Sequence, residues 1–307
     1  METASPTAPA AAGAAGGNDP HGLAEMRAQI AAGTKLTGSF AARFLRAVHA
    51  EDPLATEESL ASLPGVRGIH LYDSLIAWSP IRPGERVLDI GCGSGGATRS
   101  AARATGPDGQ VIGVDVNQAC VDVAKERTPR DLRAQYRRGD ARNLSFVEDR
   151  SIDCVVASML LDEVEDIRPV LDEVFRVLRP GGRFVASVAA FDTWRPMDVA
   201  FMGAVISVVG RHAPGALAGR AVRAGIPHDK PDRIAFAESG LATLEIQDIQ
   251  LAAVFEDEDD AWRVFSRSQV VKVLGEEGRQ ELRAKLRRRT PHTLYIPIRF
   301  IRTRRPG

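Results

Sequence analysis

The chain has 307 residues, of which 44% are hydrophobic and 26% are charged, and this composition suits one large globular domain with an elaboration. The formal net charge is zero, which counts against nucleic acid as a substrate because nucleic-acid binders usually carry a basic excess. No apolar run reaches the length of a membrane span, and the N-terminus lacks the pattern of a signal peptide. The three cysteines are scattered, which argues against a disulfide framework or a metal cluster and indicates a cytoplasmic protein.

The first 80 residues divide into a tail and a helical segment. Residues 1–20 are mostly Ala, Gly, Pro, Ser and Thr, so we expect a disordered tail. Residues 21–80 are interpreted as an N-terminal helical segment that covers the functional site. Within it, apolar spacing and turn residues favour helices over 22–50, 56–63 and 70–79.

Residues 81–190 alternate between apolar runs and helical patterns. Strands are predicted over 85–90, 110–115, 134–138, 152–157 and 182–189. Helices are predicted between them over 95–104, 117–126 and 166–178. This alternation predicts the α/β class, with a mostly parallel sheet and helices on both of its faces.

The remaining chain is expected to elaborate and then complete this core. Residues 191–230 are too long for a simple crossover and are interpreted as an inserted helical cap over the carboxyl edge of the sheet. Residues 231–307 are predicted to complete the sheet, with helices over 231–239, 259–268 and 275–288 and strands over 244–255 and 293–301. The last strand is expected to lie antiparallel to its neighbour, and Pro297 within it favours an edge or a bulge.

The stretch VLDIGCGSGG at 87–96 is the most informative motif. Its apolar start is typical of a buried parallel strand, and its glycines let the backbone turn sharply and approach a ligand. A helix begins at this turn, so we expect a nucleotide-like ligand there. Gly91, Gly93 and Gly96 also satisfy G-x-G-x-x-G, which keeps a nicotinamide oxidoreductase as a competing interpretation. Asp89, two residues before the first glycine, argues against that interpretation.

Further motifs decide between these ligands. In chain order the segments are VLDIGCGSG at 87–95, VIGVD at 111–115, GDA at 139–141, IDCVVAS at 152–158 and LRPGGRFVAS at 178–187. In this order and spacing they resemble the class I S-adenosylmethionine (SAM) dependent methyltransferases. The resemblance implies a Rossmann-like, seven-stranded, mostly parallel sheet. It also implies SAM as cofactor and S-adenosylhomocysteine as product.

The resemblance implies which residues hold SAM. The loop after the first strand would surround the methionine part of SAM, with Asp89, Gly91, Cys92, Gly93 and Gly95. For Asp89, a structural role in holding the loop amides is an alternative. The remaining cofactor contacts would come after later strands, from Asp115, Val116, Asp140, Ala141, Ser158 and Met159.

Each of these later residues has an implied partner on the cofactor. Asp115 would accept hydrogen bonds from both ribose hydroxyls, with a helix N-cap as the alternative role. Val116 would flank the adenine, and Asp140 and Ala141 would bind its polar edge. The residues after the fourth strand would offer backbone groups near the sulfonium.

Catalytic and substrate-binding residues are less determined by the motifs. The candidates for a general base are His70, Tyr72, Asp192 and His212. Tyr72 is also a candidate for binding the SAM carboxylate, and a lone histidine is more often structural. The candidates for an apolar substrate pocket are Phe191, Trp194, Phe201 and Met202, with core packing as the alternative.

One departure from the family lies shortly after the fourth strand. The family often carries a pair of histidines there, whereas this chain has Asp162 and Glu163. No base or metal role is therefore carried over to this segment, and no metal is expected. The two acids are expected to start a helix, where acidic side chains favour the dipole.

The sequence as a whole predicts methyl transfer to a small, mostly hydrophobic acceptor by in-line displacement. The chain beyond the core is similar to quinone and natural-product methyltransferases. A macromolecule (RNA or protein) methyltransferase and a SAM-binding protein without methyl transfer are the alternatives. The expected partner is a small-molecule acceptor, with no nucleic acid and no membrane, and a homodimer is left open.

Overall fold

The computed structural model describes residues 22–61, 63, 70–190, 193, 195–218 and 231–307. These residues form a seven-stranded sheet with helices around it. The predicted tail at 1–20 and parts of the predicted cap at 191–230 lie outside the described residues.

The sheet has the predicted strands in a mostly parallel arrangement. They are β1 (Arg86–Ile90), β2 (Gln110–Asp115), β3 (Ala134–Arg138), β4 (Ile152–Ser158), β5 (Leu178–Ala189), β6 (Ala242–Phe255) and β7 (His292–Arg304). Their order is β3-β2-β1-β4-β5-β7-β6, and β1 to β5 pair in parallel. Strand β7 runs antiparallel to both β5 and β6, which confirms the orientation predicted for the last strand.

Helices connect and cover the strands. In chain order they are α1 (Leu23–Ala31), α2 (Gly38–Glu51), α3 (Leu71–Trp78), α4 (Gly96–Thr105), α5 (Gln118–Arg127), α6 (Arg168–Val177), α7 (Pro196–His212), α8 (Pro231–Glu238), α9 (Glu258–Phe265), α10 (Gln269–Lys272) and α11 (Glu276–Arg287). A π-helical turn, Glu57–Ala61, and a 3-10 turn, Pro214–Ala218, complete the described elements. None of the described helices is both long and apolar enough to span a membrane.

The core lies on both faces of the sheet because side chains alternate along each strand. On one face, Val87 of β1 joins a buried cluster with the N-terminal helices and α4. On the other face, Leu88 joins a second buried cluster with α6. Residues 87–90 of β1 are all buried, as expected for a central parallel strand.

The N-terminal segment differs from its prediction. Residues 22–50, predicted to be helical throughout, form two helices separated at Gly33, whose φ of 98° ends α1. The backbone N–H of Leu36 then donates a hydrogen bond to the Gly215 carbonyl at 2.9 Å. A contact with a distant turn therefore holds the segment between α1 and α2.

The position of Pro297 also differs from its prediction. The residue lies in β7, which is flanked by β5 and β6, and not in an edge strand. Its carbonyl accepts a hydrogen bond from Ala190 N on the β5 side. In an antiparallel pair of strands, the N and O atoms of one residue face the same neighbouring strand. The N–H group that proline lacks would therefore also face the β5 side, just past the last residue of β5, Ala189. No bond to β6 is lost, which is why a proline is tolerated there.

Candidate functional site

The glycine loop lies at the carboxyl end of β1, where the strand order reverses between β1 and β4. Gly91, Gly93 and Gly95 have φ values of 69°, 51° and 84°, a region that disfavours other residues. The N–H groups of Gly91 and Cys92 both donate to the Val114 carbonyl, at 2.8 and 3.0 Å. The loop is therefore fixed against β2, and α4 begins at its end.

Asp89 is fully buried beneath this loop. Its Oδ2 accepts a hydrogen bond from Thr98 Oγ1 at 2.5 Å, whereas its Oδ1 has no partner among the described residues. Burial raises the pKa of Asp89 from 3.8 to about 7, and the charge of Asp115 adds to this, although the bonds from Thr98 oppose it. A buried acceptor without a partner fits a site that a polar ligand completes.

This raised pKa predicts how stability depends on pH. Between pH 3.8 and about 7 the folded protein binds more protons at Asp89 than the unfolded chain does. The free energy of unfolding contributed by this group is therefore highest below that window and falls as the pH rises through it. We expect Asp89→Asn to remove that decrease, so that the variant exceeds the wild type by about 1–3 kcal/mol at pH 8.

Urea denaturation at pH 5 and at pH 8 measures this difference. Asp122→Asn, an exposed acid on α5, is the matched control and should retain the wild-type pH dependence. An Asp89→Asn variant that loses stability between the two pH values as steeply as the wild type would contradict the assignment.

Asp115 holds two loops with one carboxylate. Its Oδ2 accepts from Gly93 N at 2.9 Å and its Oδ1 accepts from Asn117 N at 2.8 Å. Burial raises its pKa, and these two bonds oppose the shift. The alternative role as helix N-cap is wrong, because Asn117 caps α5 by accepting from Ala119 N. Each Asp115 oxygen has a lone pair left for a ligand hydroxyl.

Asp140 and Ala141 lie after β3, beside Val116. Arg142 binds Asp140 through its Nε and Nη2 atoms, with Nη2 2.7 Å from Oδ2, and this pairing lowers the pKa of Asp140. Asp140 is therefore ionised and fixed in direction at neutral pH. Val116 is 39% exposed, so its side chain offers apolar surface to a neighbouring group.

Ser158 and Met159 follow β4. Met159 has a φ of 58°, which is unusual for a residue other than glycine, and its N–H donates to the Ser187 carbonyl at 2.9 Å. Ser158 Oγ and Ser187 Oγ lie 3.1 Å apart and share a hydrogen bond. Strand β5 thus holds the turn after β4 in a strained conformation.

One cavity of about 620 Å³ joins these positions. Of the residues predicted to hold a cofactor, it is lined by Asp89, Gly91, Cys92, Gly93, Asp115, Val116, Asp140, Ala141, Ser158 and Met159. Gly95 lies in the same loop but faces away, where a Cβ would lie 2.7 Å from the Tyr136 hydroxyl. The volume is typical of a small-molecule site.

The opposite wall of the cavity is apolar and was not predicted in detail. It consists of small and aliphatic side chains of α2, of the segment after β4 and of the first turn of α6, namely Ala41, Ala42, Leu45, Leu160, Val164 and Pro169. Phe44 and Val48 of α2 point into the core instead. The apolar spacing of α2 was visible in the sequence. That Ala41, Ala42 and Leu45 line a cavity could be determined only from the fold.

A charged pair at this wall was also missed. His49 Nε2 lies 3.1 and 3.2 Å from the two carboxylate oxygens of Glu163, and Gln269 Nε2 donates to the same carboxylate. Both members of the pair line the cavity. Asp162 and Glu163 form a turn before α6 and do not start a helix, so that expectation is wrong. The Asp162 carboxylate instead accepts a hydrogen bond from Ala189 N at the end of β5, and this contact takes the place of the expected one at a helix N-terminus.

The four predicted base candidates are placed differently. Tyr72 lines the cavity, and its ring packs so closely on α4 that a Cβ at Gly96 would lie 2.1 Å from it. Burial raises the pKa of Tyr72, so its hydroxyl stays protonated. His70 is exposed, does not line the cavity and contacts the Leu63 carbonyl at 3.3 Å. His212 lies outside the cavity and pairs with Glu281 of α11 at 2.7 Å.

Among the predicted substrate-pocket residues, Phe201 and Met202 do not line the cavity. Phe201 is 3% exposed and stacks on Phe255 at 5.9 Å and on His292 at 4.8 Å between ring centroids. Phe191, Asp192 and Trp194 lie outside the described residues. The interpretation of 191–230 as a substrate cap stays a prediction.

In the part of the chain that the structure describes, no group of three or more His, Cys, Asp or Glu residues is arranged to hold an ion. Cys92, Cys120 and Cys154 are buried free thiols. Burial raises the pKa of Cys92, so its thiol is protonated and unsuited to nucleophilic attack.

Comparison with known proteins agrees with this arrangement. Residues 87–182 match the family described as Methyltransferase domain. The resemblance to SAM-dependent methyltransferases, predicted from the five motifs, is confirmed.

Individual relatives are similar over part of the chain. An uncharacterized 37.1 kDa protein in transposon TN4556 of Streptomyces fradiae is 39% identical over 142 residues, which are 46% of this chain and 39% of that protein. The 2-phytyl-1,4-naphtoquinone methyltransferase of Synechococcus elongatus is 40% identical over 124 residues, 39% of this chain and 51% of that protein. The chain thus spans about half or less of the length of these curated relatives.

A solved structure shares more of the fold. It is described as "Conversion of a Disulfide Bond into a Thioacetal Group during Echinomycin Biosynthesis", and it aligns with 85% of this chain and 91% of its own at a TM-score of 0.52. Its sequence is 21% identical, so the likeness concerns the fold alone. The predicted Rossmann-like, seven-stranded, mostly parallel sheet is confirmed.

Proposed function

We propose that the protein is a SAM-dependent methyltransferase that transfers a methyl group to a small, mostly apolar acceptor. The observation that carries this proposal is that one cavity has two unlike walls. One wall presents Asp89, Asp115 and Asp140 from the ends of three adjacent strands, and the other presents the aliphatic side chains of α2. A polar nucleoside and an apolar partner can therefore meet inside one enclosure.

The polar wall fits SAM group by group. Asp89 Oδ1, which has no partner among the described residues, suits the ammonium end of the methionine part. The free lone pairs of Asp115 suit the two ribose hydroxyls. Asp140, fixed by Arg142, suits the amino group of adenine, beside the exposed Val116. These assignments follow the predicted roles of the same residues.

The chemistry needs little from the protein beyond alignment. Bound SAM supplies an electrophilic methyl group on a sulfonium. The glycine loop and the strained turn at Met159 hold one reactant, and α2 with Leu160 closes over the other and excludes water. Such orientation contributes on the order of 7–11 kcal/mol to lowering the barrier.

The acceptor class is inferred from the apolar wall and from the relatives. Two of the curated relatives are named demethylmenaquinone and 2-phytyl-1,4-naphtoquinone methyltransferase, and a quinol-like or natural-product acceptor suits an aliphatic cavity. The partner is thus a small molecule and not a nucleic acid. A homodimer stays a prediction, and so does the cytoplasmic location, which the three free thiols support.

Transfer of a labelled methyl group tests the proposal. We expect the full chain to move label from methyl-labelled SAM into an organic-extractable product of naphthalene-1,4-diol, which is kept reduced and serves as a quinol probe. The Asp115→Ala variant should transfer none, and Asp122→Ala should match the wild type. Label that appears only in RNA or protein of a lysate, or SAM binding without transfer to any small molecule, would contradict the proposed acceptor class.

A further inference from the structure

Three residues far apart in the sequence meet beside the cavity, and two of them, His49 and Glu163, line it. His49 comes from α2, Glu163 from the turn after β4, and Gln269 from α10. Both carboxylate oxygens of Glu163 contact His49 Nε2, and Gln269 donates to Oε1 of the same carboxylate. Glu163 is thereby held by two partners on separate elements, and it holds the imidazole in turn.

The arrangement decides which ring nitrogen is available. Because Nε2 is engaged by Glu163, the neutral imidazole carries its proton there and keeps a lone pair on Nδ1. Nδ1 makes no hydrogen bond with the residues that the structure describes. A histidine with one nitrogen bound to a carboxylate and the other free has the geometry of a general base.

Several groups around His49 set its proton affinity. Burial by itself lowers the pKa of His49, but the charge and hydrogen bond of Glu163, with the charges of Asp115 and Asp52, outweigh it and raise the pKa to about 9. Gln269 on α10 is uncharged, and the Cys120 thiol on α5 donates to the His49 carbonyl. Below about pH 9 the imidazole is therefore mostly protonated, and the basic form increases as the pH rises.

We propose that His49 is the general base of the methyl transfer and that Glu163 is the residue that positions it. The proposal rests on the proposed function. In the reaction, the proton on the attacking atom of the acceptor moves to Nδ1, and the electron pair left behind forms the bond to the methyl carbon. The carbon–sulfur bond breaks with its electrons staying on sulfur, and His49 later releases the proton to solvent. The acceptor is accordingly one that carries a proton on that atom, such as a hydroxyl, an amine or an acidic C–H.

The chain offers a matched control pair. His212 and Glu281 form a similar contact, with His212 Nε2 2.7 Å from the carboxylate, on α7 and α11 outside the cavity. The substitutions His49→Gln and His212→Gln thus remove the same side chain and break the same kind of pair. Only the first should affect a proton transfer in the cavity.

The first experiment measures methyl transfer to naphthalene-1,4-diol against pH. In the wild type the logarithm of kcat should rise by about one for each pH unit up to an inflection at or below pH 9, since the positive sulfonium of bound SAM opposes protonation of His49. His49→Gln should abolish this rise and lower kcat by about 10²–10⁴-fold. Glu163→Gln should move the inflection to lower pH, and His212→Gln should leave the profile unchanged.

The second experiment needs no turnover. With histidine labelled for NMR, naphthalene-1,4-diol added to the S-adenosylhomocysteine complex should shift the resonance of His49 and leave that of His212 in place. His49→Gln should keep its affinity for S-adenosylhomocysteine within about threefold, which separates loss of the base from loss of folding.

Two results would overturn the role of His49. One is a His49→Gln variant that keeps the wild-type pH profile. The other is a His49 resonance that does not respond to the bound probe. If the wild type methylates the probe and either result is found, the proposed function stands and this inference fails. If no methyl group is transferred at all while His49 responds to the probe, the proposed function fails, and the role of His49 in methyl transfer fails with it although the cavity binds the probe.

Discussion

Asp115→Ala should lower the affinity for SAM by at least about 100-fold, measured by calorimetry. The substitution removes the acceptor for two ribose hydroxyls, and hydrogen bonds to a charged group contribute about 1.5–3 kcal/mol each. It also frees Gly93 N and Asn117 N, which the same carboxylate now holds at 2.9 and 2.8 Å. S-adenosylhomocysteine should lose affinity to a similar degree, because it carries the same ribose.

Two further variants make this result specific. Asp122→Ala removes an exposed acid of α5 that bonds only to Gln118 among the described residues, and it should bind SAM as the wild type does. Asp115→Asn keeps one oxygen acceptor and should fall between the wild type and the alanine variant. Wild-type affinity in Asp115→Ala, or binding of NAD in place of SAM, would contradict the assignment of this cavity.

Phe201→Ala should destabilise the protein by about 3–5 kcal/mol and leave the affinity for SAM within about threefold. The ring is buried and stacks on Phe255, Phe265 and His292, with centroids 5.9, 5.8 and 4.8 Å away. Removing it leaves a void among aromatic side chains that can close only in part. Urea denaturation measures the loss of stability.

The same variant separates core packing from substrate binding. A residue of the substrate pocket would instead raise the KM for the acceptor with little change in stability. Val199→Ala on the same helix, at a side chain that is 53% exposed, is the control and should change the free energy of unfolding by less than about 0.5 kcal/mol. A small stability loss in Phe201→Ala would contradict the packing that the structure shows.

The cofactor side of the cavity was predictable because its determinants are local. A glycine turn requires positive φ at Gly91, Gly93 and Gly95, and no other residue type adopts that conformation as readily. Asp115 ends β2 and Asp89 lies one residue before the end of β1, and adjacent parallel strands bring their carboxyl ends together at the same edge. Ten of the eleven predicted cofactor positions line the cavity for this reason.

The acceptor side was not predictable in the same way. The apolar spacing in α2 showed that the helix has an apolar face. One side of that face, with Phe44 and Val48, packs in the core, and only the other side, with Leu45, lines the cavity. Phe201 was a pocket candidate by residue type, yet it packs against Phe255 at the end of β6 and His292 at the start of β7, which pair with each other. Composition cannot distinguish an aromatic side chain that packs in a core from one that lines a cavity.

The sequence by itself determined the alternating α/β core, the glycine loop and the acids that follow the strands, since these depend on backbone conformation and on contacts between neighbouring elements. Only the tertiary structure decided that His49, Glu163 and Gln269 meet, because their positions are more than 100 residues apart along the chain. Their encounter depends on how α2 and α10 pack over the sheet edge. Such packing is determined by the shape and burial of many side chains at once, and no local motif encodes it.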